Sequence, residues 1–186
     1  MKMIITSLFL FYSIQSFAVF ENDGHWVSNC YEEDGLFVQE EVVFSSSQIT
    51  FYVIVYRKPE CISKLVVSKT SGNYVFAEGS TSPALDLDIV ITKSTITPQT
   101  LLAAATMNNR ITCGMNDWKM GVEKNTSGKI CEGENVPNVG DGRFNLFWQD
   151  KDNAYFGLKT TQYTGETIDK RPIQLNLEKP YHNFAD

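Results

Sequence analysis

The sequence predicts an all-β protein, an antiparallel up-and-down β-barrel of eight to ten strands with one short helix. Apolar residues recur with a period of two along most of the chain, which is typical of strands that bury one face. Short groups of Gly, Asn, Asp and Ser separate these runs and indicate hairpin turns. About nine short strands joined in this way form a meander, which folds into a sandwich or closes into a barrel, and closure removes exposed edges.

The strands follow from the alternation of side chains. In segment 85–92, leucine and isoleucine alternate on one face, while Asp86 and Asp88 fall on the other. Segment 49–56 is apolar on both faces, so both faces are expected to be covered, or one of them lines a pocket. Further strands are expected at 25–31, 37–45, 63–69, 73–78, 117–123, 143–149 and 153–158.

Turns and one helix separate these strands. The helix is expected at 98–109, with Thr97 as N-cap and Pro98 at the first helical position. Segment 125–142 is rich in Gly, Asn and Pro, contains Cys131, and is expected to be a long loop tied back by a disulfide. Tight turns are expected at 33–35, 45–47, 71–73 and 150–153.

The first 18 residues have the pattern of a signal peptide. Lys2 supplies the positive charge, the apolar segment 3–11 is too short to span a bilayer, and Ser16-Phe17-Ala18 is a small-x-small cleavage site. The mature chain is therefore expected to begin at Val19 and to form one domain, 19–186, that is secreted or periplasmic. It contains no further apolar stretch long enough to span a membrane, and the net charge of −6 disfavours binding to nucleic acid.

The cysteines predict two disulfides rather than a metal site. An even number of cysteines in an exported chain indicates disulfides, and four cysteines allow three pairings. We expect the pairing with the shortest loops and no interleaving. A metal site is not expected because the chain has no Cys-x-x-Cys and its two histidines stand at opposite ends. The expected disulfides are Cys30–Cys61 and Cys113–Cys131.

The start of the expected domain resembles the lipocalins. Gly24-His25-Trp26 is a Gly-x-Trp ahead of the first strand, followed by Cys30, a strand ending in Phe44, a tyrosine-rich strand and Cys61. This pattern is also similar to the barrel domains of the adenomatosis-polyposis-coli down-regulated family, which bind lipidated Wnt. The resemblance implies a lipocalin-like barrel in which Trp26 plugs the closed end beneath a basic side chain. Arg171 is the candidate for that side chain, the alternative being that Trp26 is ordinary core and Arg171 is solvated.

Segments of the second half resemble uncharacterised exported lipocalin-like proteins of Gram-negative bacteria. The long C-terminal helix of lipocalins is missing, so their ligand-binding residues are not transferred to this chain. The matching segments are Cys113-Gly114-Met115-Asn116-Asp117-Trp118-Lys119, Gly128-Lys129-Ile130-Cys131, Tyr155-Phe156-Gly157 and Lys170-Arg171-Pro172.

Apolar residues at alternating strand positions are the candidate lining of a ligand cavity. A barrel of this size is either filled by its own side chains or holds one small ligand, and ligand sites are concave and mostly apolar. The alternative for each residue is packed core. The candidate ligand-binding residues are Phe51, Val53, Trp118 and Trp148.

No group of residues indicates catalysis. Glu40 and Glu41 are adjacent in a strand and point to opposite faces, and Asp86 and Asp88 are expected on a solvated outer face. We therefore expect a non-enzymatic exported binding protein for a small apolar or lipidic ligand, with no cofactor. The alternative is a secreted protein–protein interaction or inhibitor module with a packed barrel and no ligand cavity.

Overall fold

The computed structural model, which describes residues 23–79, 81 and 83–184, is a closed antiparallel β-barrel. The expected all-β architecture with one short helix, α1 (Leu101–Asn109), is confirmed. The expected signal peptide, 1–18, lies outside the described residues. The strands are β1 (Gly24–Ser28), β2 (Tyr31–Glu33), β3 (Leu36–Ser45), β4 (Gln48–Lys58), β5 (Ile62–Ala77), β6 (Leu85–Pro98), β7 (Lys124–Asn125), β8 (Ile130–Cys131), β9 (Glu134–Asn135), β10 (Gly142–Gln149), β11 (Asn153–Phe156) and β12 (Tyr181–Asn183).

Eight of these strands form the barrel, in the order β1, β3, β4, β5, β6, β10, β11 and β12. Each pairs with the next one, and the last returns to the first. Trp26 of β1 is thus opposite Val42 of β3 on one side and Asn183 of β12 on the other. Neighbours in the barrel are neighbours along the chain, which is the up-and-down arrangement, and closure leaves none of the eight as a free edge.

Two-residue turns connect several of the strands, as expected. Asp34 and Gly35 both have positive φ, 51° and 76°, between the paired residues Glu33 and Leu36. Positive φ at both central residues suits the right-handed twist of the flanking strands. The turn between β3 and β4 is of similar length and contains Ser46, with φ 53°.

The prediction of a turn at 71–73 is wrong. β5 runs through it without a break, with a register shift against β6 between Ser71 and Gly72. A Cβ on Gly72 would lie 2.6 Å from Cγ2 of Ile89 and 2.8 Å from the carbonyl oxygen of Val90. Gly72 therefore permits a close approach between strands at a bulge and does not reverse the chain.

The strand expected at 117–123 is also wrong. Trp118 is buried beneath α1, where its backbone N–H donates to Oδ1 of Asn108 and its indole N–H donates to the carbonyl oxygen of Thr112. Met120 and Val122, which share its parity, are 50% and 44% exposed. In this segment, therefore, only Trp118 of the alternating apolar residues is buried, and the pattern does not indicate a strand.

The helix begins later than the sequence indicated. β6 continues to Pro98, and Thr100 is the N-cap in place of Thr97, its hydroxyl oxygen accepting from the N–H of Ala103 at 3.0 Å. Both expected disulfides, Cys30–Cys61 and Cys113–Cys131, are confirmed. The second ties loop 125–142 to the segment that follows α1. Within the described ranges, no helix has the length and apolar character required to cross a membrane.

One half of the barrel interior is solid. We use the name aromatic plug for four inward-facing residues at the end of the barrel where β1 begins: Trp26, Phe44, Phe76 and Phe147. The rings of Phe44 and Phe147 are 5.2 Å apart, and the ring of Phe147 is 5.4 Å from that of Phe156. A second, smaller cluster of buried residues lies at the other end beneath α1 and includes Met107 and Trp118.

Candidate functional site

A central cavity of about 300 Å³ lies inside the barrel, beyond the aromatic plug. One wall is apolar because strand alternation turns Phe51 and Val53 of β4 inward, towards Val42, Ile89 and Ile91 of the neighbouring strands. A polar wall adjoins it and contains Glu40, Arg143, Asn145 and Lys159. Glu40 is paired with Val53, and Arg143 with Ile89. The cavity is therefore amphipathic.

Glu40 is the most strongly engaged group of this polar wall. Nζ of Lys179 lies 2.7 Å from its Oε1, the hydroxyl of Tyr31 donates to the same oxygen at 2.8 Å, and the hydroxyl of Tyr181 donates to Oε2. The Lys179 ammonium also lies 4.4 Å from the ring centroid of Tyr31. We call Glu40, Tyr31, Lys179 and Tyr181 the Glu40 cluster.

The Glu40 cluster holds its carboxylate in the charged form. Burial acts to raise the pKa of Glu40, but the hydrogen bonds and charge of Lys179 and the tyrosine hydroxyls outweigh it, so the pKa lies below the ordinary value. Burial and the negative charge of Glu40 raise the pKa of Tyr31 and Tyr181, which keeps both hydroxyls protonated as donors.

A second cavity of about 290 Å³ adjoins the central one. The two share Glu40, Phe51, Asn145 and Lys159 in their walls, so both border the Glu40 cluster. Lys179 and Tyr181 line the second cavity.

Arg143 and Lys159 lack a carboxylate partner. In the described part of the chain, neither forms an ion pair within 4.0 Å, and the Arg143 guanidinium donates to the carbonyl oxygen of Gly142 at 2.8 Å. The Lys159 residue remains solvent-exposed overall, at the mouth of the cavity. The surrounding protein and the nearby Arg143 nonetheless lower the pKa of its ammonium group.

A third cavity, of about 420 Å³, lies between α1 and the barrel. Its floor is formed by Val55, Val66 and Ile96. These residues lie on the inner face of the barrel, next to residues that line the central cavity. Ala103 and Met107 of α1 form its roof. The lining of this α1 cavity is more apolar than that of the central and second cavities. Its polar lining residues are Ser68, Thr106, Arg110, Thr112 and Glu132. The larger depression of about 430 Å³ above the aromatic plug is bordered by polar turn residues such as Asp150 and Lys151, and is an open barrel mouth.

The predicted lining residues divide into two groups. Phe51 and Val53 line the central cavity. Trp118 packs beneath α1, and Trp148 lies on the outer face of β10, stacked on Tyr155 with ring centroids 5.3 Å apart. In β10 the interior is lined by Asn145 and Phe147, one position out of phase with the prediction.

The expected pairing of Trp26 with Arg171 is wrong. Arg171 is 9% exposed and lies against the outside of the barrel, 3.4 Å from Asp86 and 2.5 Å from Asp88, with its guanidinium 5.5 Å from the ring centroid of Phe144. Trp26 is inside, in the aromatic plug. The two aspartates are therefore not a solvated face, because they hold a buried guanidinium that also donates to the carbonyl oxygen of Asn145 at 2.8 Å.

The Glu40 cluster and the pair of Arg143 and Lys159 were not predicted. A signal for Glu40 was present, since it shares its strand face with Val38, Val42 and Phe44. A carboxylate in the middle of an apolar face indicates a buried, paired charge. Its partners Lys179 and Tyr181 are distant in sequence, so no local pattern links them to it.

No protein-family model matches the sequence, and a search of curated proteins found no match.

Proposed function

We propose that this protein is an exported, non-enzymatic, lipocalin-like binding protein that holds a small apolar or lipidic ligand inside its barrel. The observation that carries the proposal is the asymmetry of the interior. One end is filled by the aromatic plug, and the other contains the α1 cavity of about 420 Å³ with a mostly apolar wall. This size and chemistry are typical of sites for small molecules.

The two disulfides support export. Disulfides persist in oxidising compartments, and both pairs join segments within the barrel domain. Together with the signal-peptide pattern of 1–18, they favour the periplasm or the cell exterior as the place of action.

The state of Glu40 argues against a role as a general acid. Glu40 lines both the central and the second cavity, and the donors of the Glu40 cluster favour its ionised form. A general acid needs a raised pKa and a proton to give, which is the opposite arrangement.

Titration with N-phenyl-1-naphthylamine, a neutral apolar fluorophore, tests the proposal. Ala103 lines the α1 cavity, whereas Ala105 of the same helix is exposed, so the two alanines form a matched pair. We expect saturable binding by the unmodified protein and by Ala105→Phe, and binding at least ~10-fold weaker in Ala103→Phe because the ring fills the cavity. Absence of saturable binding, or equal loss in both variants, would contradict the proposal.

A protein partner is the second candidate, and one observation favours it. Leu101, Leu102 and Ile111 around α1 are 73%, 57% and 58% exposed. Exposed apolar residues that cluster mark protein interaction sites. This candidate gains if the fluorophore does not bind and Leu101→Ser disrupts a complex isolated from the native host.

A further inference from the structure

We infer that the central cavity binds the head group of an amphipathic carboxylate, with Arg143 and Lys159 as the residues that hold it. The inference rests on the proposed function, and it specifies the chemical class of the ligand. It places the charged end of the ligand in the central cavity, whose Val53 is the cross-strand partner of Ser68 in the α1 cavity. The ligand would carry one negative charge on a hydrocarbon or aryl body.

The first step is a balance of charges around the cavity. The carboxylate of Glu40 is taken by Lys179 at 2.7 Å, and that of Glu41 is bonded to His25 at 3.1 Å. Glu166, the other acid close to Lys159, accepts from the hydroxyl of Thr164 at 3.1 Å. Arg143 and Lys159 are left as cations that face the cavity without an anion in the described structure.

The second step is the position of these cations relative to the apolar wall. Arg143 and Lys159 line the same space of about 300 Å³ as Phe51, Val53 and Ile89. A carboxylate held by the two cations would direct its apolar body against this wall. The guanidinium fork matches the two oxygens of a carboxylate, and desolvation strengthens such charge-assisted hydrogen bonds.

The third step concerns the number of charges on the ligand. Glu40 and Glu166 both lie close enough to Lys159 to affect its titration. Their negative charges reduce the positive field of Arg143 and Lys159. The site therefore suits a monoanion better than a dianion such as a phosphate monoester.

The lowered pKa of Lys159 agrees with this arrangement. Without an anion, desolvation by the surrounding protein and the charge of Arg143 oppose the charged ammonium. A bound carboxylate would supply the missing opposite charge and stabilise the ammonium form. The ion-pair partner of Lys159 would then be the carboxylate of the ligand and not a carboxylate of the protein.

The test compares decanoate with 1-decanol and decylamine by isothermal titration calorimetry. The three probes share a chain length and differ in charge. The variants are Arg143→Met and Lys159→Met, which keep an unbranched side chain and remove the cation. Lys58→Met, at an exposed position that lines none of the three interior cavities, is the matched control.

We expect decanoate to bind about 10- to 100-fold more tightly than 1-decanol, the range given by a hydrogen bond to a charged group. Decylamine should bind most weakly. Either Met variant at the site should remove most of the preference for decanoate and leave binding of 1-decanol unchanged, and Lys58→Met should behave as the unmodified protein.

Two failures are distinguishable. Equal affinities for decanoate and 1-decanol, or a preference that survives both site variants, would overturn the carboxylate site and leave the proposed function intact. No binding of any of the three probes would overturn the carboxylate site alone if N-phenyl-1-naphthylamine still binds, and both proposals if it does not.

Discussion

Glu40 illustrates how a single residue departs from the alternation that builds the barrel. Its strand face is otherwise apolar, and moving a carboxylate to such a place has a desolvation cost. Lys179, Tyr31 and Tyr181 compensate that cost with three donors. Because these donors come from strands β2 and β12 and from the segment before β12, the Glu40 cluster also joins the two ends of the described chain.

We predict that Glu40→Gln destabilises the protein by about 1–3 kcal/mol at pH 7, because it leaves the Lys179 ammonium without its anion and weakens the tyrosine hydrogen bonds. Urea denaturation measures the change in the free energy of unfolding. Glu41→Gln is the matched control, since Glu41 is the adjacent residue of β3 and, among the described residues, its carboxylate bonds to His25 and not to the Glu40 cluster. We expect a change below about 1 kcal/mol for Glu41→Gln, as for other partly exposed pairs. Equal effects of the two substitutions would contradict a special role for the Glu40 cluster.

The pH dependence of this stabilisation has a defined sign. The pKa of Glu40 is lower in the folded than in the unfolded protein, so its contribution is complete above the ordinary glutamate value of 4.5. The contribution is lost as the pH falls from that value through the pKa of the folded state. The stability difference between the unmodified protein and Glu40→Gln should therefore shrink on acidification below pH 4.5 and stay constant above it.

At the same scale, single-residue roles were harder to predict than elements. Phe51 and Val53 were placed correctly because β4 alternates without a break over the cavity. Trp148 was placed on the wrong face because the more apolar face of β10, which carries Phe144, Leu146 and Trp148, is the outer one. The inner face carries Arg143 and Asn145 beside Phe147, so hydrophobicity alone indicates the wrong face. Arg171 was paired with the wrong residue because its two aspartates lie more than 80 positions earlier in the chain.

Among the elements, α1 has the most direct link to the proposed site, since it roofs the α1 cavity. We predict that Thr100→Ala lowers stability by about 1 kcal/mol, because the Thr100 hydroxyl caps the N–H of Ala103. The measurement is chemical denaturation, with amide exchange at Ala103 as a local readout. Faster exchange at Ala103 in the variant is expected.

Thr106→Ala is the control for this prediction. It makes the same substitution in the same helix at an exposed, non-capping position, where alanine is the better helix former. We expect a neutral or slightly stabilising effect, opposite in sign to Thr100→Ala. A similar loss in both variants would show that Thr100 does not act as the cap.

The sequence was most informative for elements with regular alternation. β3, β4 and β10 were located to within two residues at each end, and β6 was located at its first residue but continues to Pro98, past the expected end at 92. β12 was missed because three residues carry no measurable period, and the bulge at Gly72 was taken for a turn because glycine serves both. Both β12 and the bulge at Gly72 depend on which distant strands pair. Local sequence patterns do not contain that pairing.

At the scale of the whole molecule, the cavities depend on closure of the barrel. β12 is the strand that joins β11 to β1, and its Tyr181 is both 7% exposed and a donor to Glu40. β12 therefore closes the sheet, and its Tyr181 fills part of the core and lines the second cavity. Stability and ligand binding should consequently fail together when β12 is removed.

We predict that a chain truncated after Pro180 does not form the closed barrel. The truncation exposes the edges of β1 and β11 and removes the buried Tyr181, at a cost of roughly 5 kcal/mol or more, comparable with the total stability of many domains. Size-exclusion chromatography and near-ultraviolet circular dichroism should show an expanded or associated species, since free edges pair with other chains. A chain truncated after Phe184 keeps β12 and the 5.0 Å contact between the rings of Phe184 and His25, so it should remain a folded monomer by the same measurements. If the chain ending at Pro180 is as compact and as cooperative in unfolding as the one ending at Phe184, closure by β12 is not what holds the barrel and its cavities together.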